Sequence, residues 1–258
     1  MAQSSCPPGP DALPPAAAHA WAGRWAVVTG GSIRGGLAIS QHLHQRGLNV
    51  VVHHRGASSA ARAQSVVDSL NARRPGSARR WQAALETPGL AFDDPALDVA
   101  VVVCNASHLQ PSQCGDVERG LADFQMHVSG HAALLASVQP SLQRGGSVVA
   151  ISDIQTQQPN RNYLWYLVAK AGLETLMRGL AVEWAPHIRC NAVAPGALDW
   201  HEGWTDEPRR AAILGSIPLQ RVGLFEDLAQ AVSWLALDAH YITGQVLRLD
   251  GGRSVWLP

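Results

Sequence analysis

Residues 25–36 read W-A-V-V-T-G-G-S-I-R-G-G, and their reading decides the fold. A β-branched apolar run at 25–29 predicts a strand, and apolar spacing predicts a helix over 36–46. Between them lie Thr29, Gly30, Gly31, Ser32, Ile33, Arg34, Gly35 and Gly36. A glycine-rich turn from strand to helix lets backbone N–H groups and the helix N-terminus approach a pyrophosphate. The plain alternative is a packing turn, and the place of this one, between first strand and first helix, favours the nucleotide.

Working outward, further strands are predicted at 48–53, 79–83, 98–103, 146–151, 188–193 and 245–249. Helices are predicted at 57–73, 116–142, 163–184 and 225–237. Strands alternating with helices specify an α/β chain, a doubly wound parallel sheet of about seven strands of the Rossmann type. Two segments break the rhythm. Residues 84–97 carry Pro88, Gly89 and Pro95, too interrupted for a full crossover helix. Residues 195–217 read as a long loop or small helical insert over the ligand end, a plausible lid. Ligands of such sheets bind at the carboxyl ends of the strands.

The chain has 258 residues, a length one α/β domain can fill. The expected division is a flexible leader at 1–22, rich in Pro and Ala and lacking Lys and Arg, and one nucleotide-binding domain at 23–258. With 20 basic and 20 acidic residues the formal charge is zero. That gives no electrostatic footprint for nucleic acid or an anionic membrane and points to a small-molecule partner. The leader lacks the basic start of a signal peptide, and no apolar run nears the ~20 residues of a membrane span, so a cytoplasmic protein is expected. Cys6, Cys104, Cys114 and Cys190 form no C-x-x-C pair, as expected of reduced thiols. The eleven histidines include no H-E-x-x-H, and no metal is expected.

The second strand ends at Val52-His53-His54-Arg55. NAD-selective proteins place an acid there for the ribose 2′-hydroxyl, and this chain has none. Arg55, aided by His54, would instead meet a 2′-phosphate, which predicts NADPH. A solvated loop arginine is the alternative.

Lys170 is the only lysine in the chain, and it follows Tyr166 by four residues. On the helix predicted there, the two side chains stand on one face one turn apart. A nearby cation is expected to lower the phenol's pKa, making it a proton donor or acceptor near neutrality. Ahead of them, the strand 146–151 delivers Ser152 and Asp153 at its carboxyl end; the alternative for Asp153 is a turn or cap residue.

Taken together, T-G-G-S-I-R-G-G, C-N-A-S at 104–107, Y-L-V-A-K at 166–170, A-P-G at 194–196 and I-T-G-Q-V-L-R-L-D-G-G at 242–252 resemble the short-chain dehydrogenase/reductase family from Trp25 to the end of the chain. Within it the details are similar to pteridine reductases and bacterial dihydromonapterin reductases. Arg34 replaces the usual middle glycine, Asp153 the usual serine, and His127 the usual asparagine. L-N-A-R-R-P-G-S at 70–77 and H-H-R at 53–55 add to the likeness.

The resemblance implies a catalytic set of Asp153, Tyr166 and Lys170. It implies a nucleotide site of Thr29, Gly30, Ser32, Ile33, Arg34, Gly36, His54, Arg55, Asn105, Ala106, Ser107, Tyr166, Lys170, Pro195 and Gly196. Substrate would meet Arg34, Ser107, Leu109, Asp153, Tyr166 and Trp200. Lys170 would hold the nicotinamide ribose, Tyr166 relay a proton and Asp153 face the substrate. A carboxylate there suits a protonated C=N nitrogen, whereas a serine hydroxyl suits a developing alkoxide.

Several positions depart from the pattern. Cys104 and Ala84 stand where Asn and Asp are usual, and the residues after Pro195-Gly196 lack a hydroxyl. Leu109 stands where an aromatic sandwiches the pterin; Trp165, Trp200 or Trp204 could stack instead. Relatives of this kind form homotetramers or homodimers through the last strand and the helices at 116–142 and 163–184, with Val255-Trp256-Leu257-Pro258 suited to burial. The sequence therefore favours an NADPH-dependent reductase of a pterin-like or other cyclic imine. The alternatives are a carbonyl reductase or alcohol dehydrogenase on the same fold, or a catalytically silent nucleotide-binding relative.

Overall fold

The computed structural model describes residues 21–142, 145–159, 161–200 and 206–256. Seven strands build its sheet: β1 (Trp25–Val28), β2 (Asn49–His54), β3 (Ala78–Gln82), β4 (Val99–Cys104), β5 (Ser147–Ile151), β6 (Arg189–Pro195) and β7 (Val246–Leu249). All pair in parallel, in the order β3-β2-β1-β4-β5-β6-β7. Every residue of β4 and β5 is buried, the continuous apolar run of a strand covered on both faces. The order reverses between β1 and β4, and the crevice above that switch point is where a sheet of this kind takes a ligand.

The helices are α1 (Arg34–Gln45), α2 (Ala60–Arg73), α3 (Val117–Phe124), α4 (Gly130–Leu142), α5 (Leu164–Glu183), α6 (Glu207–Gly215) and α7 (Phe225–Leu237). On one face of the sheet Val28, Ile39, Leu43, Val52, Leu228 and Val232 belong to one buried cluster. On the other, Val27, Val102, Leu134, Leu135, Leu173 and Met177 belong to a second. The crossover from β3 to β4 has no helix, as its prolines predict; Phe92 fills the space instead, edge-on to Trp81 at 5.2 Å between ring centroids.

The helix expected over 116–142 is divided. Between α3 and α4 the backbone makes a π-helical turn at Gln125–Ser129, which carries His127. A π turn inserts an extra residue and rotates the side chains that follow, and such turns favour functional sites. The helical insert expected within 195–217 is α6, whose N-cap Asp206 accepts from Arg209 N at 3.2 Å. Most of the leader at 1–22, and Trp204, Leu257 and Pro258, lie outside the described residues. Among the described residues no helix is long and apolar enough to cross a membrane, and Cys104, Cys114 and Cys190 are free thiols.

Candidate active site

The carboxyl end of β5 and the first half of α5 meet above the sheet. Helical spacing puts Tyr166, Lys170 and Glu174 on one face of α5, turned inward. Tyr166 is 7% exposed and Lys170 2%. Asp153 follows β5 in an extended conformation and opens a short 3-10 turn at Ile154–Thr156. Its Oδ1 accepts from Gln155 N at 2.8 Å, and its Oδ2 accepts from the Tyr166 hydroxyl at 3.2 Å. Asp153 is thus a turn cap and, with its other oxygen, a partner of the phenol. Lys170 Nζ donates to Ile151 O at 2.7 Å and lies 5.6 Å from the centroid of the Tyr166 ring.

The expected lowering of the Tyr166 pKa is not what the site produces. Burial pushes the phenol well above its ordinary value, and the adjacent Asp153 charge raises it further. Spacing shows the cation but not the depth of burial, and desolvation disfavours phenolate. Burial likewise lowers Lys170 to about 8, opposed by Asp153. Burial raises Asp153, opposed by the Gln155 N–H and by Lys170. At neutral pH Tyr166 is a proton donor.

The π turn brings His127 beside this set, its ring edge-on to Tyr166 at 5.5 Å. His127 Nδ1 lies 2.9 Å from Asp123 O, and burial lowers its pKa to about 2, so the ring is neutral and Nδ1 carries the proton. Nε2 is then an acceptor, and the Ser107 hydroxyl, 3.0 Å away, donates to it. Ser107 also acts on Tyr166. Its effect on the phenol is to lower the pKa, against the larger upward pull of burial and Asp153. One turn on, His131 Nδ1 donates to His127 O at 3.1 Å, and its Nε2 lies 3.0 Å from Thr29 Oγ1.

Sequence reasoning did not single out several of these groups. Glu174 is buried and accepts from Ser152 Oγ at 2.6 Å and Thr156 Oγ1 at 3.0 Å, the two hydroxyls on either side of Asp153. His108 Nε2 lies 2.8 Å from the buried Asp123 Oδ1. The available signal was spacing: Glu174 lies four residues after Lys170, and His131 four after His127.

On the nucleotide side Thr29 ties the glycine turn to β4. Its Oγ1 accepts from the backbone N–H of Asn105 and of Ala106, both at 2.8 Å, and Asn105 Nδ2 returns a bond to Thr29 O at 2.9 Å. A Cβ on Gly36 would stand 2.1 Å from Gly30 O, so only glycine fits there. Ser32 is buried. The N-cap of α1 is Ile33, which has no side-chain capping bond, and the first turn holds no acid. Helix N–H groups left uncapped at a glycine turn are what a pyrophosphate takes up, so the residues fit a dinucleotide. Arg34 adopts φ +50, the left-handed region that explains a glycine at this position elsewhere, and its guanidinium lies 5.5 Å over the Phe225 ring.

At the end of β2, Arg55 is ion-paired with Glu86, because the segment after β3 returns beside the end of β2. His54 is buried, with Nδ1 3.1 Å from Gly56 O. Across the site, Gly196 N donates to Leu249 O at 2.9 Å, and a Cβ on Gly196 would touch Asp250 and Ile154, which places Pro195-Gly196 beside the Asp153 turn. Leu109 is 56% exposed. Of the stacking candidates, Trp165 packs its ring flat on Gly120 of α3, and Trp200 lies under the Arg210 guanidinium at 5.1 Å. Trp165 is therefore a helix-packing residue.

Comparisons with known proteins agree with this geometry. Residues 32–254 match a family model described as enoyl-(acyl carrier protein) reductase. The chain is 31% identical to 3beta-hydroxysteroid dehydrogenase 1 of Eggerthella lenta over 91% of its own length and 95% of that protein. It is 35% identical to a glucose 1-dehydrogenase of Gluconobacter oxydans over 60% of the chain and 62% of the relative. Among solved structures, FolM alternative dihydrofolate reductase 1 of Brucella canis, complexed with NADP, superposes with a TM-score of 0.83 at 29% identity, covering 92% of this chain and 96% of that one. The glycine turn, the seven-stranded sheet and the Tyr166–Lys170 pair thus have one source: the chain belongs to the short-chain dehydrogenase/reductase family of oxidoreductases.

Proposed function

We propose that this protein is an NADPH-dependent reductase of a C=N bond in a flat nitrogen heterocycle, a dihydropterin or another cyclic imine. The observation that carries the reading is the hydrogen bond from Tyr166 to Asp153 Oδ2 at 3.2 Å. A carboxyl group stands beside the phenol, where it can pair with a heterocycle's N–H and stabilise positive charge on a ring nitrogen. The structural likeness to the Brucella canis FolM protein, solved with NADP, supports both the substrate class and the nucleotide.

When bound, the reduced nicotinamide supplies the hydride. The protein's own residues do the rest. Tyr166, whose pKa is raised by burial, keeps its proton at neutral pH and gives it to the substrate rather than taking one, which favours reduction. Asp153 orients the heterocycle and balances the charge that protonation creates. Lys170, anchored on Ile151 O, has two further N–H donors for the ribose hydroxyls of the nucleotide. Ser107, fixed by neutral His127, acts on the phenol by favouring its ionised form, the state it reaches once the proton has left. Arg34 and the uncapped start of α1 serve the pyrophosphate.

A second reading has its own support. Burial raises the Asp153 pKa, and a protonated carboxyl would donate to a developing alkoxide as a serine does. The two curated relatives described above are named as dehydrogenases of a sugar and a steroid. NADPH consumption assayed across dihydropterins, cyclic imines and ketones separates the two. Turnover of dihydropterins or imines well above ketones is expected; turnover of ketones alone establishes the carbonyl reading, and nucleotide binding without turnover establishes a silent relative.

A further inference from the structure

Glu86 is the acid paired with the cation at the end of β2 among the described residues, and no sequence motif draws attention to it. Arg55 and Glu86 form an ion pair in which the guanidinium is 71% exposed and the carboxylate 27%. Glu86 Oε2 is buried and finds no hydrogen-bond partner among the described residues, and the same holds for His54 Nε2. The backbone fixes this arrangement. Ala83 N donates to His54 O at 3.1 Å, and His53 Nε2 lies 2.9 Å from Ala83 O. Leu85 is buried, with its carbonyl packed where a Cβ on Gly130 would stand. Glu86 therefore cannot drift far when its partner is drawn elsewhere.

We propose that Glu86 sets the balance between 2′-phosphorylated and unphosphorylated dinucleotides. The inference rests on the reading that Arg55 faces the adenosine ribose. Exposed ion pairs are weak, so a phosphate dianion can take Arg55 from Glu86. The carboxylate stays close by, however, and repels that dianion. Toward a ribose that keeps its 2′-hydroxyl, the same carboxylate is an acceptor, the role an acid at the end of β2 plays in NAD-selective sheets. Glu86 thus acts with opposite sign on the two nucleotides, and the chain accepts both with a reduced preference for NADPH.

The test is equilibrium titration of the full chain with NADPH and with NADH, followed by tryptophan fluorescence or calorimetry without substrate. Glu86→Gln should tighten NADPH by about 3–10-fold while leaving NADH unchanged or weaker. Arg55→Gln should weaken NADPH by about 10–100-fold and spare NADH. If Arg55→Gln leaves NADPH binding intact, the reading of the β2 end fails and the proposal fails with it. If Arg55→Gln behaves as expected but Glu86→Gln shifts neither nucleotide, or both equally, the role of Glu86 alone is overturned. Glu86→Ala, measured beside it with a melting curve, separates a change of charge from a change of fold.

Discussion

Thirteen residues apart in sequence, the Tyr166 hydroxyl donates to Asp153 Oδ2 at 3.2 Å, a bond that joins the turn after β5 to the helix that carries Lys170. Removing the hydroxyl with Tyr166→Phe leaves the ring's packing in place. Activity on any accepted substrate should fall by about 10²–10⁴-fold, the range for a lost proton-transfer group. The melting temperature should change little, because the bond is long and Asp153 keeps its cap on Gln155. Residual activity within tenfold of the native protein would remove Tyr166 from the chemistry.

Much of this arrangement was legible in the chain. The strand expected at 25–29 is β1, the helix expected at 225–237 is α7, and the prolines at 88 and 95 did exclude a crossover helix. Lys170 and Tyr166 were found because helical spacing alone sets them on one face. What spacing cannot show is depth. The Tyr166 pKa moves upward because of burial first and the Asp153 carboxylate second, and no periodicity reports desolvation. Nor does local pattern report contacts between distant segments, such as Arg55 with Glu86 or Ser152 with Glu174. The π turn at His127 escaped notice because its apolar spacing continues through the helices on either side.

Glu174 should behave as a positioning residue for Asp153. Glu174→Gln keeps an acceptor for Ser152 and Thr156 and should retain most of the turnover. Glu174→Ala leaves two buried hydroxyls without their acceptor and should lower kcat by about 10-fold or more with a smaller change in KM, at a cost of ~1–3 kcal/mol in stability. Kinetics of the two variants beside urea melts check this; equal turnover in both would reduce Glu174 to packing.

Acid should destabilise the protein before its carboxylates titrate. Burial lowers His53 to about 4, His127 to about 2 and His131 to about 3. The unfolded chain binds protons at these histidines below about 6.5 while the folded chain does not, so stability falls as pH drops through that value. Each contributes roughly 2 kcal/mol of loss by pH 5. His127→Asn should remove about a third of the slope. Melting temperature recorded from pH 7.5 to 5 measures it, and a flat profile would mean these rings are not held neutral.

We expect the chain to assemble into a dimer or tetramer. Val117, Leu121 and Phe124 on α3, with Leu164 and Val168 on α5, expose large apolar side chains on neighbouring helices. Beside the edge strand β7, Trp234 of α7 and Leu219 of the loop after α6 are also exposed and line an open face with Leu249. Light scattering at micromolar concentration should give a multiple of 27.5 kDa, and Leu121→Glu combined with Val168→Glu should shift it toward monomer. A native monomer would end this expectation.

The central claim is that Asp153 serves a nitrogen rather than an oxygen, and one substitution tests it with two substrates. Asp153→Ser removes the carboxyl and supplies the hydroxyl that a carbonyl would use. NADPH consumption by the native protein and by Asp153→Ser should be measured on a dihydropterin or cyclic imine and on a simple ketone, with melting curves alongside. The account predicts opposite responses: a fall of about 10²–10⁴-fold on the C=N substrate, with ketone activity preserved or raised. An equal loss on both substrates, together with a lowered melting temperature, would contradict it and leave Asp153 as the cap of the turn at Ile154–Thr156.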